Sequence, residues 1–127
     1  MKQIVFITGA SSGIGYALAR ELAPKGYALA LAARRTDLLE ALCEEICQAG
    51  GEAIALTCDV GDQAQVKQAV AETIARFGRI DLAILSAGIG APTNAAEFKA
   101  EKFERLLQTN LMGVAFCFNW LIASVID

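Results

Sequence analysis

Four short apolar runs, each followed by a stretch with helical periodicity, set the pattern of this chain. The runs are Ile4 to Ile7, Tyr27 to Ala32, Ala53 to Thr57 and Leu82 to Leu85. They show no alternation of apolar and polar residues, which is typical of strands buried on both faces of a parallel sheet. We therefore predict four parallel strands, joined in sequence by helices.

Apolar spacing, capping residues and terminal glycines predict four helices. Their expected limits are Gly13 to Pro24, Thr36 to Gly50-Gly51, Asp62 to Gly78 and about Glu101 to Val125. We expect Ile14, Leu18 and Leu22 to share the apolar face of the first helix, and Thr36 to cap the second. A loop from Ser86 to Asn94 leads to the last helical region, which is long and strongly apolar.

The order of these elements predicts an α/β fold in a single domain, residues 1–127. Right-handed crossovers of this kind build a doubly wound parallel sheet of the Rossmann type, here truncated after the fourth strand and the following long helix. The fourth strand then lacks an outer neighbour, and an unprotected apolar edge pairs readily with another chain. Together with the apolar surface of the long helix, this edge predicts a homo-oligomer.

The composition narrows the possible partners. The chain has 127 residues, is 55% hydrophobic, carries a formal net charge of -3 and has no basic cluster beyond Arg34-Arg35. Phosphate contacts to nucleic acid need a cationic surface, so we expect no nucleic-acid partner. Charged residues interrupt every apolar run before a membrane-spanning length, and the N-terminus lacks the features of a signal peptide. We expect no membrane partner and a cytoplasmic location.

The histidine and cysteine content restricts the chemistry. The chain has no histidine, which removes Ser-His-Asp and Cys-His catalysis and leaves no histidine to complete a zinc site. Cys43 and Cys47 share a helix face, whereas Cys58 and Cys117 stand alone. We expect buried, reduced thiols and no metal site.

The segment Thr8-Gly9-Ala10-Ser11-Ser12-Gly13-Ile14-Gly15 lies where the first strand turns into the first helix. Its three glycines permit a tight turn, close approach of a pyrophosphate to the backbone and tight packing of the helix on the strand. The free amides and the positive end of the helix attract an anion, and the hydroxyls of Ser11 and Ser12 can donate to phosphate. This turn predicts a nucleotide ligand and favours a dinucleotide.

The same octapeptide resembles the cofactor turn of the short-chain dehydrogenase/reductase family. Three further motifs match that family: Asp59-Val60 after the third strand, Ala87-Gly88 after the fourth, and Asn110-Leu111-Met112-Gly113 in the long helix. The resemblance covers essentially the whole chain. It departs at Ser86, where the family usually has an asparagine that helps hold neighbouring strands together, and a serine hydroxyl replaces that amide only in part.

The resemblance implies a bound dinucleotide and names the residues along its path. They are Gly9, Ser11, Ser12, Gly13, Ile14, Gly15, Arg34, Arg35, Asp59, Val60, Ala87 and Gly88. In the family, the residue matching Asp59 contacts the adenine ring and the one matching Val60 lines the adenine pocket. The alternative for Asp59 is an ordinary turn carboxylate.

The end of the second strand bears on the choice between NAD and NADP. An acidic residue there would bind the ribose 2′-hydroxyl of NAD, but the position is Ala33, and Arg34 and Arg35 follow. Guanidinium groups suit bidentate bonding to the 2′-phosphate of NADP. Family members that prefer NADP have a basic residue at the position of Arg34, so we expect NADP, with NAD less favoured. The alternative is a solvated arginine pair before a helix, which suits Arg35 better than Arg34.

The resemblance also implies an oxidoreductase that interconverts a small-molecule carbonyl and hydroxyl by hydride transfer. Asn110 matches the family's asparagine that holds a water in a proton relay, and burying its amide between Leu107 and Leu111 would be costly without a bonding task. The family's catalytic tyrosine has no match, because neither Tyr16 nor Tyr27 has a lysine four residues later. We therefore expect this chain alone to be inactive.

Two other functions stay open. The first is a non-catalytic nucleotide-binding or interaction module, which a coding sequence that continues past Asp127 would argue against. The second is an S-adenosylmethionine-dependent methyltransferase on a similar sheet. Its glycine turn is spaced differently and needs no Arg34-Arg35 pair, so the sequence disfavours it.

Overall fold

A computed structural model describes residues 2–88, 96 and 99–126. Its strands are β1 (Ile4–Thr8), β2 (Ala28–Ala33), β3 (Glu52–Thr57) and β4 (Leu82–Leu85). Its helices are α1 (Gly13–Leu22), α2 (Thr36–Gln48), α3 (Gln63–Phe77), α4 (Ala100–Leu107) and α5 (Gly113–Ile126), with a 3-10 turn at Ala23–Lys25 and a π-turn at Gln108–Met112. The four predicted strands are thus confirmed to within one or two residues.

The four strands form one parallel sheet in the order β3-β2-β1-β4. The chain moves outward from β1 to β3 and then crosses back to place β4 on the other side of β1. This reversal makes the boundary between β1 and β4 the topological switch point, where doubly wound sheets bind ligands beyond the carboxyl ends of their strands. The predicted α/β fold of Rossmann type is confirmed.

The central strands are covered on both faces. Every residue of β1 and β2 is buried. Phe6 packs in the core formed with α3 and α5, whereas Val5 and Ile7 pack in the core formed with α1 and α2. Most side chains of the outer strands β3 and β4 are only half-buried, and Leu82 is 48% exposed. The prediction of burial on both faces is therefore wrong for these two, since each has a strand neighbour on one side only within the described residues.

The start of β4 is fixed to the start of β1 by a charged side chain. The backbone N–H of Ile4 donates to Oδ2 of Asp81 at 2.7 Å, and the backbone N–H of Asp81 donates to the carbonyl of Ile4 at 2.9 Å. Nε of Arg79 contacts both carboxylate oxygens, at 2.9 and 3.0 Å. The Ile4 N–H bond, supported by the Arg79 guanidinium, holds the pKa of Asp81 below its usual value. This link aligns the two strands whose opposite ends border the switch point.

Helix α1 buries small residues instead of the predicted apolar side chains. Its buried residues are Gly15 and Ala19, whereas Leu18 and Leu22 are half-buried and Ile14 is 73% exposed. At Gly15 the helix packs directly on the Gly9 carbonyl and the Ser86 hydroxyl, which leaves no room for a side chain at that position. The expected apolar face is therefore wrong at its first position.

Two predicted helix ends also differ from the structure. Helix α1 stops at Leu22, and Pro24 lies in the 3-10 turn because proline has no N–H to continue the helical ladder. Thr36 is the first residue of α2, and Arg35 occupies the cap position. The Thr36 hydroxyl instead shares a hydrogen bond of 2.5 Å with the hydroxyl of Thr57 at the end of β3.

The long apolar helix is interrupted between α4 and α5. In the π-turn Gln108–Met112, the backbone N–H of Gly113 donates to the carbonyl of Gln108. The prediction of one continuous helix is wrong here, because a wider turn of this kind keeps helical dihedral angles and leaves no break in the sequence pattern. Such turns occur frequently at functional sites, and this one contains Asn110.

The four cysteines are free thiols, and three of them are buried. Cys47 is exposed, with its Sγ 3.8 Å from the carbonyl oxygen of Ala53, so the expectation of burial is wrong for this residue. Burial raises the pKa of the Cys58 thiol to about 12 and that of Cys117 to about 11. Both thiols are therefore protonated near neutral pH and act as small apolar side chains.

Within residues 2–88, 96 and 99–126, no helix is long and apolar enough to cross a bilayer. The same part of the chain contains no group of cysteine and acidic side chains suited to hold a metal ion. Of the loop expected from Ser86 to Asn94, only the portion up to Gly88 lies within the described residues.

Candidate cofactor site

A cavity of about 370 Å³ opens at the carboxyl ends of the strands, over the boundary between β1 and β4. Its lining comes from the ends of all four strands and from the π-turn: Gly9, Ser11, Ser12, Gly13, Ile14, Ala33, Arg34, Arg35, Cys58, Asp59, Val60, Ser86, Ala87, Gly88 and Thr109. Every residue that the sequence suggests for the path of a dinucleotide lines this cavity, except Gly15. The motifs are far apart in the sequence, and the parallel sheet brings them to one edge.

The turn after β1 presents open backbone at its glycines to the cavity, together with the Ser12 hydroxyl. Gly9 and Gly13 have φ angles of +65° and +60°, a left-handed conformation that glycine adopts without steric cost. A methyl group on Gly13 would meet no atom within 4 Å, so the backbone there faces open space. Ser12 occupies the cap position of α1 without a capping bond from its hydroxyl, which leaves that hydroxyl available to a ligand.

Ser86 joins the glycine turn to β4, a role that sequence analysis left undecided. Its hydroxyl donates to the carbonyl of Thr8 at 2.5 Å, and the backbone N–H of Ala87 donates to the Thr8 hydroxyl at 3.2 Å. A methyl group on Gly15 would lie 2.6 Å from Ser86 Oγ and 2.5 Å from the Gly9 carbonyl oxygen. Gly15 is therefore behind the cavity wall, where its lack of a side chain allows α1 to pack on these groups.

Two adjacent arginines lie at the mouth of the cavity, at the end of β2. Both are exposed. Arg35 forms an ion pair with Asp37 at 3.7 Å, and both of these side chains are more than two-thirds exposed. Arg34 makes no ion pair within the described residues, so its guanidinium is the less engaged of the two. The cavity thus has one edge with a positive charge that no carboxylate of the described chain neutralises.

The loop between β3 and α3 is held by its own acidic side chains. Oδ1 of Asp59 accepts from the backbone N–H of Gly61 at 2.9 Å, and the backbone N–H of Asp59 donates to Oε1 of Gln65 at 2.9 Å. Oδ1 of Asp62 caps α3 by accepting from the backbone N–H of Ala64 at 3.0 Å, which confirms the predicted start of that helix near Asp62. Asp59 is thus a turn carboxylate in this structure, and it also lines the cavity.

Asn110 lies beside the cavity, next to the strand-end loop of β4. A methyl group on Gly88 would lie 3.2 Å from the Asn110 Oδ1 atom. Asn110 itself is exposed, as are Leu107 and Leu111, so the argument that its amide is costly to bury does not hold. The neighbouring Thr109, which the sequence motifs do not include, is the buried residue of the π-turn and lines the cavity.

These features fit a dinucleotide. The glycine turn offers helix amides and open backbone to a pyrophosphate. Arg34 and the Asp59-Val60 pair lie on the side toward β2 and β3, suited to an adenosine half. Ala87, Gly88 and the nearby Asn110 lie on the side of β4, suited to a second nucleotide half. A cavity of about 370 Å³ is within the range of small-molecule sites.

Comparison with curated proteins finds oxidoreductases. Over 112 residues the chain is 40% identical to an uncharacterized oxidoreductase of Listeria innocua, a match that covers 88% of this chain and 45% of the relative. Over 118 residues it is 35% identical to a 3-oxoacyl-(acyl-carrier-protein) reductase of Staphylococcus epidermidis, covering 92% of this chain and 48% of the relative. The chain thus spans about half the length of these relatives.

Solved structures agree with this result. An alcohol dehydrogenase from the archaeon Thermococcus sibiricus, complexed with 5-hydroxy-NADP, matches with a TM-score of 0.94 and 36% identity, over 98% of this chain and 54% of its own. A 3-ketoacyl-ACP reductase from Sinorhizobium meliloti matches with a TM-score of 0.92 and 33% identity, over 96% and 48%. The family model for short chain dehydrogenases matches residues 3–127. The chain therefore belongs to the short chain dehydrogenase family.

Proposed function

We propose that this chain binds NADP(H) and supplies the cofactor-binding part of an oxidoreductase that interconverts a carbonyl and a hydroxyl group by hydride transfer. The observation that carries this proposal is the cavity over the β1–β4 boundary, which the glycine turn, Arg34, Asp59 and Gly88 line together. Membership of the short chain dehydrogenase family supports a dinucleotide as the ligand. The substrate is a small-molecule carbonyl or alcohol.

The preference for NADP over NAD rests on charge at the end of β2. Ala33, at the position where an acidic residue would bind a ribose 2′-hydroxyl, is followed by the exposed Arg34, which has no carboxylate partner in the described chain. A 2′-phosphate near this guanidinium gains a charge-assisted hydrogen bond that a hydroxyl cannot match. The NADP derivative bound to the Thermococcus sibiricus relative agrees with this choice.

Asn110 is the residue of this chain that we assign to the chemistry. By family resemblance, Asn110 holds a water in the relay that delivers or removes the proton of the reacting oxygen. Support comes from its place beside Gly88, at the end of the cavity opposite Arg34. When bound, the nicotinamide would supply or accept the hydride, and Asn110 would take part only in positioning the proton path.

Titration with NADPH and NADH, followed by the fluorescence of the reduced nicotinamide, tests the proposal. We expect NADPH to bind about tenfold or more tightly than NADH, since one charge-assisted hydrogen bond accounts for a difference of that size. Raising the salt concentration should reduce the difference, because the arginine and the phosphate are exposed. Equal affinities for NADPH and NADH would contradict the assignment of Arg34 to the 2′-phosphate. A chain that binds neither nucleotide would contradict the proposed function.

We also propose that the protein forms a homo-oligomer through α4 and α5. Helix α4 exposes Phe103 and Leu107, the π-turn exposes Leu111, and α5 exposes Phe118 and Ile122. Leu111 is 61% exposed and Phe118 is 53% exposed. Contiguous apolar patches on a protein surface commonly mark interaction sites, because burying them against a partner removes apolar area from water.

Light scattering across a concentration series measures the oligomeric state. We expect a mass above that of the monomer, which Phe118→Glu lowers by placing a charge in the apolar patch. A matched control is Gln68→Glu on the exposed side of α3, which should leave the mass unchanged. A monomer mass at every concentration, or the same mass for Phe118→Glu and the original chain, would contradict the proposed contact.

A further inference from the structure

The two polar backbone groups of Gly61 connect the β3–α3 loop with the π-turn. The Gly61 N–H donates to Oδ1 of Asp59 at 2.9 Å. The Gly61 carbonyl accepts from Nε2 of Gln108 at 2.8 Å. Asp59 lines the cofactor cavity, and Gln108 is the first residue of the π-turn that carries Asn110. One glycine therefore lies between a residue of the adenine side and the turn assigned to the chemistry.

Close packing surrounds this glycine. A methyl group on Gly61 would lie 3.2 Å from Oδ1 of Asp59 and 3.4 Å from Cγ of Gln108. Gly113, the first residue after the π-turn, packs on the same loop, because a methyl group on it would lie 2.6 Å from Cγ2 of Val60. The loop thus contacts both the π-turn and the residue that follows it, and the Gln108 amide supplies a directional hydrogen bond at the first of these contacts.

We propose that Gln108 is a positioning residue that holds the Asp59 loop and the Asn110 turn in register. The inference rests on the proposed function, because it assigns the two ends of this link to the two halves of a dinucleotide site. Without the Gln108 amide, the Gly61 carbonyl loses its partner from the π-turn. The Asp59 carboxylate, which Gly61 orients, then becomes less ordered. Gln108 needs no contact with the ligand to act in this way.

The substitutions Gln108→Leu and Gln108→Glu separate the hydrogen bond from packing and polarity. Leucine keeps an apolar stem of similar size, and glutamate keeps the length and polarity, but neither donates to a carbonyl at neutral pH. The matched control is Gln68→Leu, because Gln68 is also an exposed glutamine and its Nε2 donates to Glu72 within α3 at 3.0 Å, away from the site.

Two measurements test the link between the Asp59 loop and the π-turn, and the first needs no cofactor. Hydrogen exchange of the Gly61 amide in the cofactor-free chain should become about fivefold faster in both Gln108 variants, since one net hydrogen bond is worth a factor of this order. The affinity for 2′,5′-ADP, which contains only the adenosine half, should fall about fivefold in the same variants. Gln68→Leu should change neither quantity.

The outcomes separate this inference from the proposed function. Unchanged exchange of the Gly61 amide in Gln108→Leu would overturn the link, whatever the chain binds. If Gln108→Leu accelerates Gly61 exchange and weakens 2′,5′-ADP binding but Gln108→Glu does neither, the role of the hydrogen bond would be overturned. Faster exchange with unchanged affinity for 2′,5′-ADP would overturn the positioning role. If the original chain binds no NADPH while exchange responds as expected, the proposed function fails and the link itself stands.

Discussion

The Gly9→Ala variant should lose cofactor binding and should be less stable than the original chain by about 2–5 kcal/mol. The added methyl group would lie 2.7 Å from both the Cα and the N atom of Ala87 and 2.9 Å from the carbonyl carbon of Ser86. These atoms belong to the backbone that leaves β4, so they cannot move aside as a flexible side chain does. The φ of +65° at Gly9 adds the strain of a left-handed residue.

Gly26→Ala is the control that separates the steric clash with the Ser86–Ala87 backbone from the strain of a positive φ. Gly26 also has a positive φ, of +92°, but a methyl group there would meet no atom within 4 Å. This variant should therefore lose only about 1 kcal/mol from backbone strain and keep its affinity for NADPH. Urea unfolding gives the stabilities and NADPH fluorescence gives the affinities. Equal losses in the two variants would contradict the close approach of the glycine turn to β4.

A third glycine keeps the test informative if Gly9→Ala does not fold. Gly13→Ala also places a methyl group on a residue of positive φ, but that group points into open space at the cavity wall. We expect Gly13→Ala to remain folded and to bind NADPH more weakly, because the methyl group occupies room that a pyrophosphate would use. Unchanged affinity in this variant would place the phosphates elsewhere.

Arg34→Asp should reverse the cofactor preference. The change removes a guanidinium and adds a carboxylate next to the expected 2′-phosphate, so the affinity for NADPH should fall by about 100-fold. NADH lacks this phosphate, and its affinity should hold or rise as the new carboxylate meets the ribose hydroxyls. The ratio of the two dissociation constants, measured by fluorescence at one salt concentration, reports the reversal.

Arg35→Asp is the matched control for this change, with the same alteration of net charge one residue away. Arg35 already pairs with Asp37, so we expect a smaller effect on NADPH binding than that of Arg34→Asp. Losses of equal size would indicate that the general positive potential, not a direct contact of Arg34, attracts the phosphate. An unchanged preference in Arg34→Asp would move the phosphate contact to another residue.

The sequence was sufficient for the strands and for the residues that gather at their ends. The apolar runs at Ile4 and Leu82 are long enough to read as strands, and the rule that parallel strands share one carboxyl edge brings the loops after them together. The pairing of β1 with β4 is not encoded locally. It depends on a crossover that only the whole fold defines.

Several details of the site depend on tertiary contacts that no local pattern contains. The role of Ser86 follows from the proximity of Gly15, which leaves room for a hydroxyl to reach the Thr8 carbonyl. The Gln108 bond crosses 47 positions of sequence. Ile14 has the spacing of a core residue, yet its place at the first turn of α1 leaves it exposed at the cavity.

The strand order has a consequence for the way this protein acquires its shape. Strands β1 and β2, and β2 and β3, are each linked by a single helix crossover and have short loops to close. Ile4 and Asp81, in contrast, lie 77 positions apart, and a longer loop costs more entropy to close. We expect the β1–β4 contact to form after the other two strand pairs, and until it forms the glycine turn lacks the wall that the residues after β4 supply. A nucleotide that binds the finished cleft would draw the folding equilibrium toward the native state by mass action.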